Sequence, residues 1–227
     1  MEPSSPDARR LSQQLAAICS RPEYFSALAD KNAYQSSKSA TALHFAERTV
    51  AYAFGTEQAP KLLYPITVER LVAHSYPITL YRVYDGVDRA GTLGGWWCGR
   101  KLIKKCAGAA TSSSGTLDHA QVLQAILKAM FVHPHWNRGK DIARLTIPVG
   151  GSEPAIIGMG DWQALRAARD PTLPRDAPDP LKIDTEADVI NKLGMDPSSG
   201  AMQYFLPFVS GMRVTKIPHN SPKWPFE

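Results

Sequence analysis

The sequence has little cysteine and no long apolar run, and both features narrow what it can encode. Its three cysteines, Cys19, Cys98 and Cys106, are an odd number without a Cys-x-x-Cys pair. That disfavours a disulfide framework and a structural zinc site, so we expect three reduced structural thiols. No stretch reaches the roughly 20 apolar residues that a membrane-spanning helix needs. Residues 1–7 are polar and contain no apolar signal-peptide segment, so we expect synthesis in the cytoplasm.

Several motifs of common enzyme classes are also missing. The sequence contains no GxGxxG, no GxxxxGK[ST], no HExxH and no GxSxG. Their absence disfavours a dinucleotide-binding parallel sheet, a phosphate-binding loop, a zinc protease and a serine hydrolase. No pair of acidic residues has the context of a glycosidase.

The composition is that of an ordinary globular protein with a modest positive charge. The 227 residues are 44% hydrophobic and 21% charged, which suffices for a proper core. The net charge of +5 is compatible with nucleic acid or an acidic protein as a partner, and requires neither.

The hydrophobic pattern changes period near residue 60. Helical spacing predicts helices over 8–20, 22–29 and 39–54, and hence an N-terminal helical region over residues 1–60. Residues 61–227 are mostly strand-like with isolated helices, which predicts an α+β fold rather than alternating βαβ units. The segment 169–180 holds four prolines and is predicted to be a mobile loop. The predicted strands are 66–72, 78–84, 94–98, 142–148, 154–158 and 202–209, and the predicted later helices are 118–133 and 185–193.

One arginine lies inside an apolar strand pattern. Alternation over 78–84 places Arg82 on one face with Leu80 and Tyr84. A charge in such a stretch is costly to bury without a partner. Arg82 is therefore either an edge-strand arginine that reaches solvent or an arginine that binds a pyrophosphate.

Three other groups of residues could belong to a site. Trp96 and Trp97 must face opposite sides of a strand, so one of them is free to line a slot for a flat base. Gln203 lies in a strand pattern, where it is either half exposed or able to bind a ribose hydroxyl. His133 and His135 follow a helix and form either a solvent-facing turn or, less favourably, a metal site.

Six segments follow one another in a distinctive order: Tyr81-Arg82-Val83, Gly95-Trp96-Trp97, Trp136-Asn137, Ile147-Pro148-Val149-Gly150, the turn from Gly158 to Gln163, and Gly200-Ala201-Met202-Gln203-Tyr204. In this order they resemble the ADP-ribosyltransferase-like domains of bacterial polymorphic and secreted toxins. The last segment is similar to the final strand of the tuberculosis necrotizing toxin family, which hydrolyses NAD. The resemblance covers about residues 62–217 and depends on the order of the segments, because no single motif is specific.

The resemblance implies a split β-sandwich over residues 61–227 that binds NAD as a substrate. It implies that Arg82 holds the pyrophosphate and that Tyr81, Gly95 and either Trp96 or Trp97 line the site. Gln203 would occupy the position where transferases usually carry a glutamate, as in the NAD-hydrolysing branch. The implied function is an antibacterial NAD glycohydrolase toxin, delivered into a target cell by a secretion system and neutralised by an acidic immunity protein.

Three alternatives stay open at the level of sequence. The first is a mono-ADP-ribosyltransferase that modifies a protein or RNA acceptor. The second is a metal-dependent nuclease built on His133, His135 and Asn137, whereas the NAD site implied by the resemblance includes no metal. The third is a non-catalytic immunity or adaptor module.

Overall fold

A computed structural model describes residues 6–19, 63–85, 95–111, 115–206, 214–219, 221 and 223–226 of the chain. The predicted helices 22–29 and 39–54 lie outside the described residues. Of the N-terminal region, only α1 (Pro6–Cys19) is described, and it lies against β1 and β5 with Leu11 and Leu15 buried. The domain boundary at residue 60 stays a prediction. No helix among the described residues is long and apolar enough to span a membrane.

The described part of the chain contains seven strands and five helices. The strands are β1 (Leu63–Val72), β2 (Ile78–Tyr84), β3 (Trp96–Gly99), β4 (Asp141–Ile147), β5 (Ser152–Gly160), β6 (Met202–Phe205) and β7 (Val214–Ile217). The helices are α1, α2 (Arg100–Ala109), α3 (His119–Ala129), a 3₁₀ helix (Trp162–Ala167) and α4 (Glu186–Leu193).

The strands form one antiparallel sheet in the order β1-β5-β6-β3-β2-β4-β7, which confirms the α+β class. The sheet is narrowest at β3, which pairs with β2 at two positions and with β6 at three. The predicted split β-sandwich is not established by this arrangement. The short β3 nevertheless divides the sheet into a β1-β5-β6 half and a β2-β4-β7 half.

Local sequence explains where several elements begin and end. The Asp118 side chain accepts a hydrogen bond from the Gln121 backbone N–H and caps α3. Thr185 and Asp188 form a capping box at the start of α4. Gly194, with φ of 59°, ends α4 in the left-handed conformation that glycine tolerates.

The two faces of the sheet are covered differently. We call the face that packs against α2 and α3 the helix-covered face, and the face that carries Arg82 the arginine face. Both faces contain buried apolar side chains. The core of the helix-covered face includes Tyr81, Val83, Cys98, Ile103, Val122, Ile126, Leu127 and Ile142, and the core of the arginine face includes Leu80, Tyr84, Trp97, Ala143, Leu145, Ile147 and Ala155.

Three described elements were missed from sequence: α2, the 3₁₀ helix and β7. In α2, the buried residues are Ile103, Cys106 and Ala107, too few in ten residues to give a clear helical stripe. Four cationic side chains occupy most of the remaining positions. β7 is four residues long and has only Ile217 buried, so alternation over such a segment carries little information.

Candidate functional site

Arg82 lies on β2, where the sheet narrows at β3. Its Nη1 donates a hydrogen bond to the Trp96 carbonyl oxygen at 3.1 Å, and the residue is half-buried. It is opposite the buried Ala143 on β4. The guanidinium is thus tied to the backbone of the neighbouring strand while part of the residue stays accessible. A group held in this way is preorganised for an anion.

Trp97 shares the arginine face with Arg82. Trp97 is paired with Tyr204, and continuing the β2–β3 register by one residue places Arg82 opposite Trp97. With about 4.8 Å between neighbouring strands, the row Arg82–Trp97–Tyr204 spans roughly 10 Å. Trp97 is completely buried, and its Nε1 has no hydrogen-bond acceptor within the described part of the chain. A buried donor without an acceptor is unfavourable, and such groups need an explanation.

Trp96 faces the other side of the sheet, as alternation predicts. Its ring meets Phe205 edge-on, with 4.8 Å between centroids. Gly95 allows β3 to approach β6, because a Cβ at this position would lie 2.6 Å from a ring carbon of Phe205. Tyr81 is 1% exposed in the core of the helix-covered face. Trp96 and Tyr81, two of the predicted NAD-lining residues, therefore do not share the arginine face.

Gln203 is also on the helix-covered face, since it pairs with Cys98, which in turn pairs with Tyr81. It is 5% exposed, and its Nε2 donates a hydrogen bond of 2.7 Å to the Met130 carbonyl oxygen. The register does not bring Gln203 and Arg82 together, so the two predicted catalytic residues do not form a pair. The half-exposed alternative for Gln203 is wrong as well. Its observed contact joins β6 to the C-terminal end of α3.

Glu69, which was not predicted as a site residue, supplies a carboxylate on the arginine face. It lies on β1 and accepts a hydrogen bond of 2.9 Å from the Thr67 hydroxyl. Thr67 is opposite Ile157, which is opposite Tyr204. Burial raises the pKa of Tyr204, and the negative charges of Cys98 and Glu69 raise it further. The alternation over 66–72 was a signal that could have placed Glu69 and Thr67 on one face.

The turn of His133 and His135 is not a solvent-facing turn. His133 is completely buried. Its Nδ1 accepts from the His135 backbone N–H at 3.1 Å, so its proton is on Nε2, which donates to the Leu181 carbonyl oxygen at 3.2 Å. Burial lowers the pKa of His133. Both ring nitrogens of this neutral imidazole are engaged, and neither is left for a metal.

The other members of the predicted nuclease site are engaged in the same way. His135 Nε2 is 3.3 Å from Asp179, and Asn137 donates to the Val83 carbonyl oxygen and accepts from the Gly139 N–H, both at 2.9 Å. No group of three or more metal-ligating side chains occurs among the described residues. The geometry does not support a metal-dependent nuclease at this turn.

The proline-rich segment 169–180 is tied into a closed loop rather than extended as a linker. The Arg169 guanidinium donates to the carbonyl oxygens of Pro174, Arg175 and Ala177. Asp179 accepts from the backbone N–H groups of Asp170 and Leu181. The contacts of Asp179 with His135 and of the Leu181 carbonyl oxygen with His133 hold the loop against the His133–His135 turn.

No family model matches the chain, and no curated protein matches it. Among solved structures, the chain is similar to one described as Rhs1-CT in complex with cognate immunity protein RhsI1. The identity is 11%, the TM-score is 0.32, and the match covers 67% of this chain and 77% of that chain. A TM-score this low does not establish a common fold, and we base no conclusion on it.

Proposed function

We propose that the chain binds NAD on the arginine face and cleaves the bond between nicotinamide and ribose, with water as the acceptor. The observation that carries the proposal is the Arg82 guanidinium, held by the Trp96 carbonyl oxygen while part of the residue stays accessible. A guanidinium fixed in this way suits a ligand that carries phosphate groups. NAD has two, in its pyrophosphate.

Arg82 and Gln203 would then have distinct roles. Arg82 binds the pyrophosphate. Nicotinamide, positively charged in NAD, leaves with the bonding electron pair as a neutral molecule. Water adds to the ribose carbon and loses a proton. Gln203 acts from the other face as a positioning residue for β6.

Such an activity suits a toxin that depletes NAD in a target cell. We propose an antibacterial toxin, delivered by a secretion system and neutralised by an acidic immunity protein. The net charge of +5 supports the choice of an acidic partner.

The test is nicotinamide release from NAD by the purified chain, without an acceptor. We expect turnover by the unaltered chain and a loss of at least 10-fold in kcat/KM for Arg82→Ala, since a charge-assisted contact contributes about 1.5–3 kcal/mol. Arg138→Ala is the matched control, because Arg138 is an exposed arginine.

Two results would change the conclusion. Release that requires added protein or RNA, with labelled ADP-ribose on that acceptor, would replace hydrolysis by transfer. No release under either condition, from a chain that unfolds cooperatively, would overturn the NAD proposal.

A further inference from the structure

A second cluster of ionisable side chains lies at the start of β4, where Asp141 is opposite Tyr84, two residues after Arg82 on β2. It consists of His119 at the start of α3, Asp141 at the start of β4, and His219 and Trp224 near the C-terminus. We call these four residues the tail cluster. Its members are separated by up to about a hundred positions in sequence, so no local motif reveals it.

Asp141 organises the cluster. It is 8% exposed, and its Oδ1 accepts hydrogen bonds from the Ile142 backbone N–H at 2.9 Å and from Trp224 Nε1 at 3.1 Å. Its Oδ2 is 3.6 Å from Nδ1 of His219. The carboxylate is thereby fixed, with one oxygen facing the imidazole. A fixed carboxylate beside Nδ1 orients the ring and balances the charge of a protonated imidazole.

The two imidazoles are close together and accessible. The His219 side chain is 71% exposed, and its ring centroid is 6.3 Å from that of His119. The His119 ring lies against the Trp224 ring, with 4.3 Å between centroids. An in-line displacement at phosphorus needs a proton acceptor on one side and a donor on the other, each within about 2.6–3.2 Å of its oxygen. Two rings at this spacing can flank a phosphate group.

The surroundings of the tail cluster are cationic. The Arg100 guanidinium lies 5.3 Å from the Phe226 ring centroid, and Lys216 Nζ lies 5.7 Å from that of Tyr84, which is opposite Asp141. Arg144 Nη1 contacts the Phe226 carbonyl oxygen at 3.5 Å. Of the nearby carboxylates, Asp141 is buried. Asp118 accepts from the Gln121 N–H as the cap of α3, and Asp85, the residue after Tyr84, accepts from the Arg138 N–H. The field around the imidazoles thus favours an anionic ligand.

We propose that the tail cluster is a metal-independent site that cleaves single-stranded RNA. One imidazole, His119, removes the proton from a ribose 2′-hydroxyl. The 2′-oxygen attacks the adjacent phosphorus, and the bond to the 5′-oxygen of the next nucleotide breaks. His219, paired with Asp141, donates its proton to the leaving oxygen. The products are a 2′,3′-cyclic phosphate and a 5′-hydroxyl, so neither water nor an oxidant is consumed in this step.

RNA is favoured over DNA and over a protein partner by the chemistry of the cluster. The nucleophile is the 2′-hydroxyl, which DNA lacks. A docking surface for an acidic protein would use the cations alone, and it would not need a buried carboxylate that orients one exposed imidazole toward another.

The experiment uses the full chain, a 5′-labelled single-stranded RNA and its all-deoxy counterpart, in EDTA and without NAD. We expect cleavage of the RNA alone, with cyclic phosphate ends and a bell-shaped dependence of kcat/KM on pH. His119→Ala and His219→Ala should each lower the rate by about 100-fold or more. His74→Ala, at an exposed histidine in the β1–β2 turn, should cleave like the unaltered chain.

Urea unfolding of each variant provides the control for folding. Uncleaved RNA would overturn the proposal, as would cleavage of the deoxy strand, a requirement for divalent metal, or equal rates in the three variants. Binding of RNA without cleavage would show a phosphate-binding surface and would also overturn it. Because NAD is absent, the result is independent of the NAD proposal.

Discussion

The described part of the chain contains two histidine pairs that differ in the number of ring nitrogens left for a ligand. The His133 and His135 rings are 4.5 Å apart between centroids, and those of His119 and His219 are 6.3 Å apart. His133 is buried with both nitrogens engaged by the protein, whereas His219 is exposed. The comparison teaches that proximity alone does not make a site. Chemistry requires that the fold leaves a polar atom available.

The same distinction separates Gln203 from Arg82. The amide of Gln203 is buried and joins β6 to α3 through the Met130 carbonyl oxygen. Arg82 keeps part of its surface accessible while its guanidinium donates to the Trp96 carbonyl oxygen. Residues of the first kind should affect mainly stability when changed, and residues of the second kind mainly activity.

The largest expected effect is that of His133→Ala on stability. The change removes a buried ring and leaves the Leu181 carbonyl oxygen and the His135 N–H without their partner. We expect a loss of about 2–4 kcal/mol in the free energy of unfolding, measured by urea denaturation. His219→Ala is the matched control and should change it by less than about 0.5 kcal/mol. Equal losses in the two variants would contradict the comparison.

Gln203→Leu should have the next largest effect. It removes the donor to the buried Met130 carbonyl oxygen while keeping an apolar side chain of similar size. We expect a loss of about 1–3 kcal/mol in the free energy of unfolding, because the carbonyl group loses its buried partner. Arg82→Ala should lower stability less and NAD turnover more. If Gln203→Leu abolished turnover at unchanged stability, Gln203 would be a catalytic residue after all.

Asp179→Asn tests the loop that covers the first histidine pair. Hydrogen bonds from the Asp170 N–H, the Leu181 N–H and His135 lower the pKa of Asp179 to about 2. Since the ordinary value is about 3.9, the ionised carboxylate stabilises the folded state above pH 4, and this contribution is lost as the pH falls toward 2. We expect the variant to have a flatter stability profile between pH 4 and 2. Asp176→Asn, at an exposed position in the same loop, should keep the original slope.

The smallest effect is a difference in chemical labelling between the two pairs. Diethyl pyrocarbonate modifies an accessible, unprotonated imidazole nitrogen. We expect His219 to be labelled in the folded chain, as the exposed His74 is, and His133 to stay unlabelled until urea is added. Mass spectrometry of peptides measures this. Early labelling of His133 would show that its turn opens readily.

Much of the fold could be predicted from local patterns. The alternation over 78–84 matches β2, and the helix predicted over 185–193 is α4 with Thr185 as its cap. Cys98 and Cys106 are buried free thiols, as predicted. Burial raises the pKa of both. Helix α2 was not predicted, because its three buried residues among four cationic ones do not form a recognisable apolar stripe.

The candidate sites were much less accessible to sequence reasoning. The pairing of β3 with β6 decides that Gln203 lies opposite Cys98, and hence on the face away from Arg82. Nothing local to Gln203 fixes that partner, because a one-residue change of register would reverse its face. The environment of His133 likewise depends on Leu181, 48 positions away.

By itself, the sequence determined the hydrophobic period of each clearly patterned helix and strand, the N-terminal caps of α3 and α4, and the α+β class. These features depend on neighbours within a few residues. Tertiary structure alone decided which polar atoms are buried and which face a ligand. It placed Glu69 on the face of Arg82 and engaged both ring nitrogens of His133 in hydrogen bonds. It also brought His219 close to Asp141 and His119. The physical reason is that hydrogen-bond satisfaction and burial are set by partners remote in the chain.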